Sequence, residues 1–209
     1  MKKISLILCL MLVAASLVSC TDVQYKEIHA DWMHFKTAEE LVDYAKTIYI
    51  GRVTDIYFEV WDRETIEPVK EVIEDHGRHL LSFYKIEVLD LYKGNEDKAL
   101  LLGIDSGIKG YKEKEQLEAV KNGKAYGWEK NSVFIHSGYI GLKEGETYLF
   151  VLNEREEVPF LIPPNLYQFS YCLSDPELKT SYPDNELTAE DIVKTFGEDK
   201  LAEFTAKYR

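Results

Sequence analysis

Hydrophobic and polar positions along much of the chain follow the two-residue period of β-strands. Residues 47–60 are rich in β-branched and aromatic side chains and predict a long strand. The apolar positions within it change parity around Gly51, which predicts a bulge or a sharp bend. Residues 80–95 predict a second long strand, because apolar and charged residues alternate from Tyr84 to Val88 before a Gly-Asn turn.

Four further segments have the pattern of strands. Residues 142–153 contain a turn at Gly145, followed by a run in which odd and even positions are both mostly apolar. This pattern predicts a central strand buried on both faces. Residues 165–173 place aromatic and leucine side chains on one face and polar or small residues on the other, which predicts a strand with one face in water. Apolar runs at 98–105 and 131–139 predict two more strands.

Three segments instead indicate helices. Thr37 and Glu40 have the spacing of a capping box and predict a helix near residues 38–46. Residues 112–124 predict a short helix that ends at a glycine. A second cap with a hydrophobic staple predicts that residues 188–209 are helical.

Strands of uneven length with helices between them and at the ends predict a mainly β protein with flanking helices, an α+β fold built on a small, partly open β-barrel. Residues 37–209 contain no repeat and no domain boundary, so we expect a single β-barrel-like domain with a C-terminal helical segment. A chain of this length is long enough to bury one hydrophobic core.

The N-terminal segment has the pattern of an export signal. Two lysines precede an apolar run, Ile4 to Val18, that is too short to span a bilayer. The end of this run, Leu17-Val18-Ser19-Cys20, resembles the lipobox of bacterial lipoproteins, in which the cysteine is lipidated and becomes the new N-terminus. An ordinary secretory peptide and an uncleaved anchor are the alternatives.

The lipobox predicts how the N-terminal part of the chain is divided. Residues 1–19 are expected to be a lipoprotein signal peptide, and residues 20–36 to be the lipidated Cys20 and a tether. The protein is then expected on the extracytoplasmic side of the cell membrane, held there by its lipid.

Cysteine content limits the disulfides that the chain can form, and its net charge limits the partners that it can bind. With Cys9 in the signal and Cys20 lipidated, only Cys172 remains, so no internal disulfide is expected. We interpret Cys172 as a small, half-buried strand residue. The chain has 37 acidic and 25 basic residues and a formal net charge of −12. Because this charge repels phosphate backbones, nucleic acid is not an expected partner.

Three motifs, in this order, resemble a group of bacterial extracytoplasmic proteins with a netrin-like, tissue-inhibitor-of-metalloproteinase-like barrel of the OB type. They are hydrophobic-Gly-x-Val at Ile50–Val53, Lys-Gly at Lys93-Gly94, and Gly-Glu-x-Tyr followed by hydrophobic residues at Gly145–Val151. The resemblance covers residues 45–173, and its motifs mark turns and buried strands. It implies a barrel whose loops bind another protein or a glycan.

The same resemblance does not extend to protease inhibition. The animal relatives chelate zinc with a free N-terminal cysteine that is braced by disulfides. In this chain the corresponding Cys20 is expected to be acylated, lies far from the predicted barrel, and has no disulfide partner.

Histidines are the candidate metal ligands. His76 and His79 lie in a charged segment, residues 62–79, with two acidic residues directly before His76, and these are ligand types that a divalent metal accepts. A solvated polar loop is the simpler interpretation. A weaker cluster in the predicted tether consists of His29, Asp31 and His34.

The sequence shows no catalytic motif. His136 precedes Ser137 and Asp105 precedes Ser106, but adjacent residues of a strand point to opposite faces and cannot act together as nucleophile and base. Neither a Gly-x-Ser-x-Gly elbow nor a glycine-rich phosphate loop is present. We therefore expect a protein that is not an enzyme and that uses no cofactor.

Aromatic residues are the candidate ligand contacts. The chain has 14 tyrosines and three tryptophans, and most are expected to pack in the core. Those predicted to lie in loops or at strand ends, where an exposed ring can stack on a sugar or anchor a protein contact, are Trp61, Trp128, Tyr126 and Tyr139.

Three functions are compatible with these patterns. The first is a membrane-anchored, non-catalytic module that binds an unknown protein or glycan, favoured by the anchor and the strand pattern. The second is a glycan-binding protein of the cell envelope. The third is a metal-assisted hydrolase that uses His76 and His79.

Overall fold

The computed structural model describes residues 23–62, 64–69, 77–95, 97–125, 130–174 and 185–209. More of these residues lie in strands than in helices, which confirms a mainly β protein with helices at its C-terminus. The strands are β1 Gln24–Ile28, β2 Thr47–Asp62, β3 Glu67–Pro68, β4 Arg78–Lys93, β5 Ala99–Ile104, β6 Ser132–His136, β7 Thr147–Leu152 and β8 Ser170–Cys172. The helices are α1 Ala38–Tyr44, α2 Glu113–Asn122, α3 Ala189–Lys194 and α4 Glu198–Tyr208.

Six strands form one antiparallel sheet in the order β5-β4-β2-β7-β8, with β3 paired to the end of β2. The long strands β2 and β4 have 16 residues each and pair along most of their length. β7 lies between β2 and β8, and Tyr148 to Leu152 are fully buried. The predicted central strand is therefore confirmed.

The predicted irregularity in β2 is also confirmed. Its register against β4 shifts at three places, one of them between Ile50 and Gly51. A Cβ atom at Gly51 would lie 2.4 Å from Cγ2 of Ile86, so only glycine allows the two strands to approach this closely. At the third shift the extra residue is Thr54 in β2, so Val53 and Ile56 both enter the larger core although one position is odd and the other even.

Side chains on the two faces of this sheet enter different clusters. Tyr49, Tyr84 and Phe150 belong to the larger core, which extends toward β5 and the loops after β6. Ile48, Ile50 and the alternate residues of β7 pack instead against the helices α1, α3 and α4. A smaller cluster places α2 and β6 against the far ends of β2 and β4.

Helix caps follow the predicted pattern closely. The Thr37 hydroxyl accepts a hydrogen bond from the Glu40 amide at 3.2 Å, while the Glu40 carboxylate accepts from the amide of Lys36. Before α3, Thr188 and Asp191 form a complete capping box. No helix in the described ranges is long and apolar enough to cross a membrane.

The N-terminal segment differs from its prediction as a tether. β1 pairs in parallel with β6, from Gln24 opposite Ser132 to Ile28 opposite His136, as a separate two-stranded sheet. Val23 and Tyr25 pack on the small cluster below it. The tether interpretation is wrong for residues 24–28, because their pairing partner lies more than a hundred residues away and leaves no local periodic signal.

The prediction that one face of residues 165–173 is exposed to solvent is also wrong. Only Ser170–Cys172 form a strand, and Gln168, Ser170 and Cys172 are all buried. The polar atoms of Gln168 bind the backbone of Phe35, so the N-terminal segment covers this face. Cys172 is a free, buried cysteine.

The described strands do not close into a barrel. Two isolated bridges, Leu102 with Leu161 and Asn153 with Ile162, connect the outer edge of β5 to the chain just beyond β7. The finer prediction of an OB-type barrel therefore stays a proposal.

Candidate functional site

A groove of about 540 Å³ opens at the end of the sheet where β2 ends, β4 begins and β5 ends. Trp61 and His79 are directly paired across β2 and β4. Asp105 follows β5, whose pairing with β4 carries this residue to the same end. Three strands that are distant in sequence thus bring one aromatic and two polar side chains together.

Aromatic rings form the floor of the groove. The ring of Phe160 meets Trp61 edge-on with centroids 5.1 Å apart, and it meets Phe83 edge-on at 5.0 Å. Trp61 is 9% exposed and Phe160 is 8% exposed, so only a small part of each ring faces the groove. Gly103 makes room for this packing, because a Cβ atom there would lie 2.5 Å from the Phe160 ring.

Polar side chains line the rim above the rings. His79 Nδ1 lies 3.1 Å from Asp105 Oδ1, and both side chains remain partly exposed to the groove. The other charged residues of the rim are Asp62, Arg155 and Glu157. The rim therefore offers hydrogen-bond donors and acceptors beside an apolar floor, the arrangement of a site for a small polar molecule or chain.

A second hollow, of about 360 Å³, lies beside β1 and the end of β6. It brings His29 and Asp31 of the weaker predicted cluster next to His136, while His34 does not line it. His136 meets the edge of Trp32 with ring centroids 5.5 Å apart. Burial lowers the pKa of His136 below its usual value, and the nearby Asp105 acts in the opposite direction.

Tyr139 does not contribute to a ligand surface. It is 5% exposed, and its hydroxyl lies 2.5 Å from the hydroxyl of Tyr84 within the main core. Burial raises the pKa of Tyr139 well above the usual value of a tyrosine, and the neighbouring Tyr84 adds to the rise. The prediction that Tyr139 presents a ligand face is therefore wrong, because its loop folds inward over the sheet.

The other predicted site residues are divided between the groove and the part of the chain that is not described. Trp61 lies in the groove as an aromatic contact, and His79 lies there paired with Asp105. Cys20, His76, Tyr126 and Trp128 lie outside the described residues. Among the residues that are described, no group of three or more His, Cys, Asp and Glu side chains could hold a metal ion.

The two predicted serine pairs have structural partners. Ser106 Oγ accepts a hydrogen bond from the backbone amide of His136 and donates to the carbonyl of Gly107. Ser137 Oγ donates to the Glu27 carboxylate at 3.2 Å. These bonds join β6 to β1 and to the loop after β5.

Comparison of the chain with protein-family models, with curated proteins and with solved structures finds no match. The residues of the groove are therefore interpreted from their own geometry. Trp61, His79 and Asp105 combine an apolar contact with hydrogen-bonding groups of both kinds, which suits binding more directly than it suits bond cleavage.

Proposed function

We propose that the protein is an extracytoplasmic lipoprotein, anchored in the cell membrane by lipid on Cys20, that acts as a non-catalytic binding module. The lipobox sequence supports the anchor. The groove at Trp61, His79 and Asp105 is the observation that supports a binding role, because its volume lies within the range of small-molecule sites.

We propose a cell-envelope glycan as the ligand of this groove. The apolar faces of sugars pack on aromatic side chains, while their hydroxyls need donors and acceptors nearby. The Trp61–Phe160 floor supplies the first requirement. The His79–Asp105 pair and Arg155 at the rim supply the second. A protein partner is the alternative occupant, and a metal-assisted hydrolase through His76 and His79 is the less favoured alternative.

We also propose that the scaffold is an open barrel of the OB or netrin-like type. The bends in β2 support it, because strands at the corners of small barrels change faces in this way. Backbone hydrogen bonds of Leu161 to β5 and of Ile162 to Asn153, just after β7, also support it. They connect the outer edge of β5 to the region beside β7, as partial closure of a barrel requires.

Substituting Asp105 with asparagine is expected to weaken glycan binding about tenfold, because a charged acceptor at the rim is lost. The measurement is retention of the purified protein on isolated peptidoglycan, together with quenching of tryptophan emission by soluble peptidoglycan fragments. Trp61→Phe is expected to remove part of that quenching.

Asp55→Asn is the matched control, since Asp55 has a similar side-chain exposure, 43% against 41% for Asp105, and lies at a pair with Lys85 away from the groove. Wild-type protein that is not retained on peptidoglycan would refute the glycan ligand. Equal retention of Asp105→Asn and the wild type would refute the groove as the site.

A further inference from the structure

We propose that the end of the molecule where β1 begins and α2 ends lies against an anionic membrane surface, with Lys121, Lys124 and Lys130 facing the lipid headgroups. This inference rests on the proposed lipidation of Cys20. It goes beyond the anchor itself, because it assigns one face of the folded domain to the membrane.

The position of the chain at Val23 determines which end this is. Val23 packs on the small cluster that contains Val120, in the last turn of α2, and Ala125, just beyond that helix. The next residue, Gln24, donates its amide hydrogen to the carbonyl of Asn131 at 3.1 Å. Cys20 lies three positions before Val23, and an extended chain spans at most about 3.6 Å per residue. The Cα atom of Cys20, which carries the proposed lipid, therefore lies within roughly 11 Å of the Cα atom of Val23.

Residues 121–131 differ in charge from the chain as a whole. Residues 121–131 contain three lysines and one glutamate, in a chain with 37 acidic and 25 basic residues. Lys121, Lys124 and Lys130 are all exposed. A surface with anionic lipids attracts lysines that lie within a Debye length and repels the acidic remainder of the domain. The short connection and the charge thus favour the same orientation.

The groove lies at the same end of β2 as Val60, but on the other face of the sheet. Val60 and Trp61 are neighbours in β2, so their side chains point to opposite faces of the sheet. Val60 packs in the same cluster as Val120 and Ala125, whereas Trp61 forms the floor of the groove. The groove therefore opens on the sheet face opposite to the one that carries β1 and α2.

The test uses full-length lipidated protein in vesicles of equal parts phosphatidylcholine and phosphatidylglycerol. A donor dye is attached at Asn122→Cys, an exposed position at the end of α2, or at Lys46→Cys, which precedes β2 and lies roughly 40 Å from Val60 along that strand. Energy transfer to an acceptor on the lipid headgroups is then measured. We expect strong transfer from position 122 and several-fold weaker transfer from position 46.

Charge reversal tests the role of the lysines. The double variant Lys121→Glu with Lys130→Glu is expected to reduce energy transfer from position 122 at least twofold. The control is Lys46→Glu with Lys98→Glu, which makes an equal change of net charge at exposed positions elsewhere. It is expected to leave the transfer unchanged. Equal transfer from positions 122 and 46 would overturn the orientation. An unchanged signal in the first double variant would overturn the contact with anionic lipid. Flotation of the protein with the vesicles is measured separately from energy transfer. A protein that does not float with the vesicles would refute the proposed anchor.

Discussion

Replacing Gln168 with leucine is expected to lower the free energy of unfolding by about 3 kcal/mol. Gln168 is fully buried, and its side chain spans the backbone of Phe35. Its Oε1 accepts from the Phe35 amide at 2.9 Å, and its Nε2 donates to the Phe35 carbonyl at 2.8 Å. Leucine would leave both backbone groups buried without partners, and each such group costs about 1–3 kcal/mol.

Chemical denaturation of the purified protein measures this loss. Gln24→Leu is the matched control, because it makes the same change at an exposed position of β1 and is expected to alter stability by less than about 0.5 kcal/mol. Amide hydrogen-exchange rates of residues 33–36 measure the local effect. These amides are expected to exchange faster in Gln168→Leu than in the wild type. A Gln168→Leu protein as stable as the wild type would refute the role of Gln168 in holding the N-terminal segment.

A methyl group at Gly103 is expected to destabilise the protein by about 2 kcal/mol and to abolish measurable glycan retention. The Cβ atom of Gly103→Ala would lie 2.5 Å from two atoms of the Phe160 ring and 3.1 Å from Phe83. Phe160 contacts both Trp61 and Phe83, whose rings also contact each other. The ring can relieve the overlap only by moving outward, which would fill the groove.

The double variant Gly103→Ala with Phe160→Leu tests this explanation. The smaller leucine leaves space for the new methyl group, so the double variant should be more stable than the sum of the two single changes predicts, by about 1 kcal/mol. Unfolding free energies of the four proteins give this coupling directly. Additive effects, or full glycan retention by Gly103→Ala, would contradict the tight contact between position 103 and the floor of the groove.

Signals that act over a few residues predicted much of the fold. The alternation in β4, the irregularity of β2 and the apolar run of β7 each depend on one strand and its burial. The caps at Thr37 and Thr188 depend on three or four neighbouring residues. These predictions are confirmed because their physical causes are contained in the segments themselves.

Features that depend on distant partners were not predicted. β1 exists because residues 24–28 pair with β6, and Gln168 is buried because the Phe35 backbone needs its two polar atoms. Residues 24–28 and the face of residues 165–173 that carries Gln168 both appear polar in the sequence. A polar residue in a strand pattern indicates a solvent-exposed face only when no other segment of the chain covers that face.

The candidate groove was predicted in part. Trp61 was selected as an aromatic residue near a strand end, and His79 was selected with His76 as a metal ligand. In the structure, His79 pairs with Asp105, which follows β5. Phe160 and Arg155 were missed because they belong to an irregular segment that no periodic pattern marks and that only the tertiary fold brings to Trp61.

The intact mass of the protein extracted from membranes of a bacterial host tests the proposed anchor most directly. A lipoprotein is expected to lack residues 1–19 and to begin at Cys20, with the added mass of a diacylglyceryl group on that residue. Cys20→Ala is expected to retain residues 1–19 and to carry no lipid. A wild-type protein with an unmodified Cys20, whether cleaved elsewhere or not cleaved at all, would contradict the account.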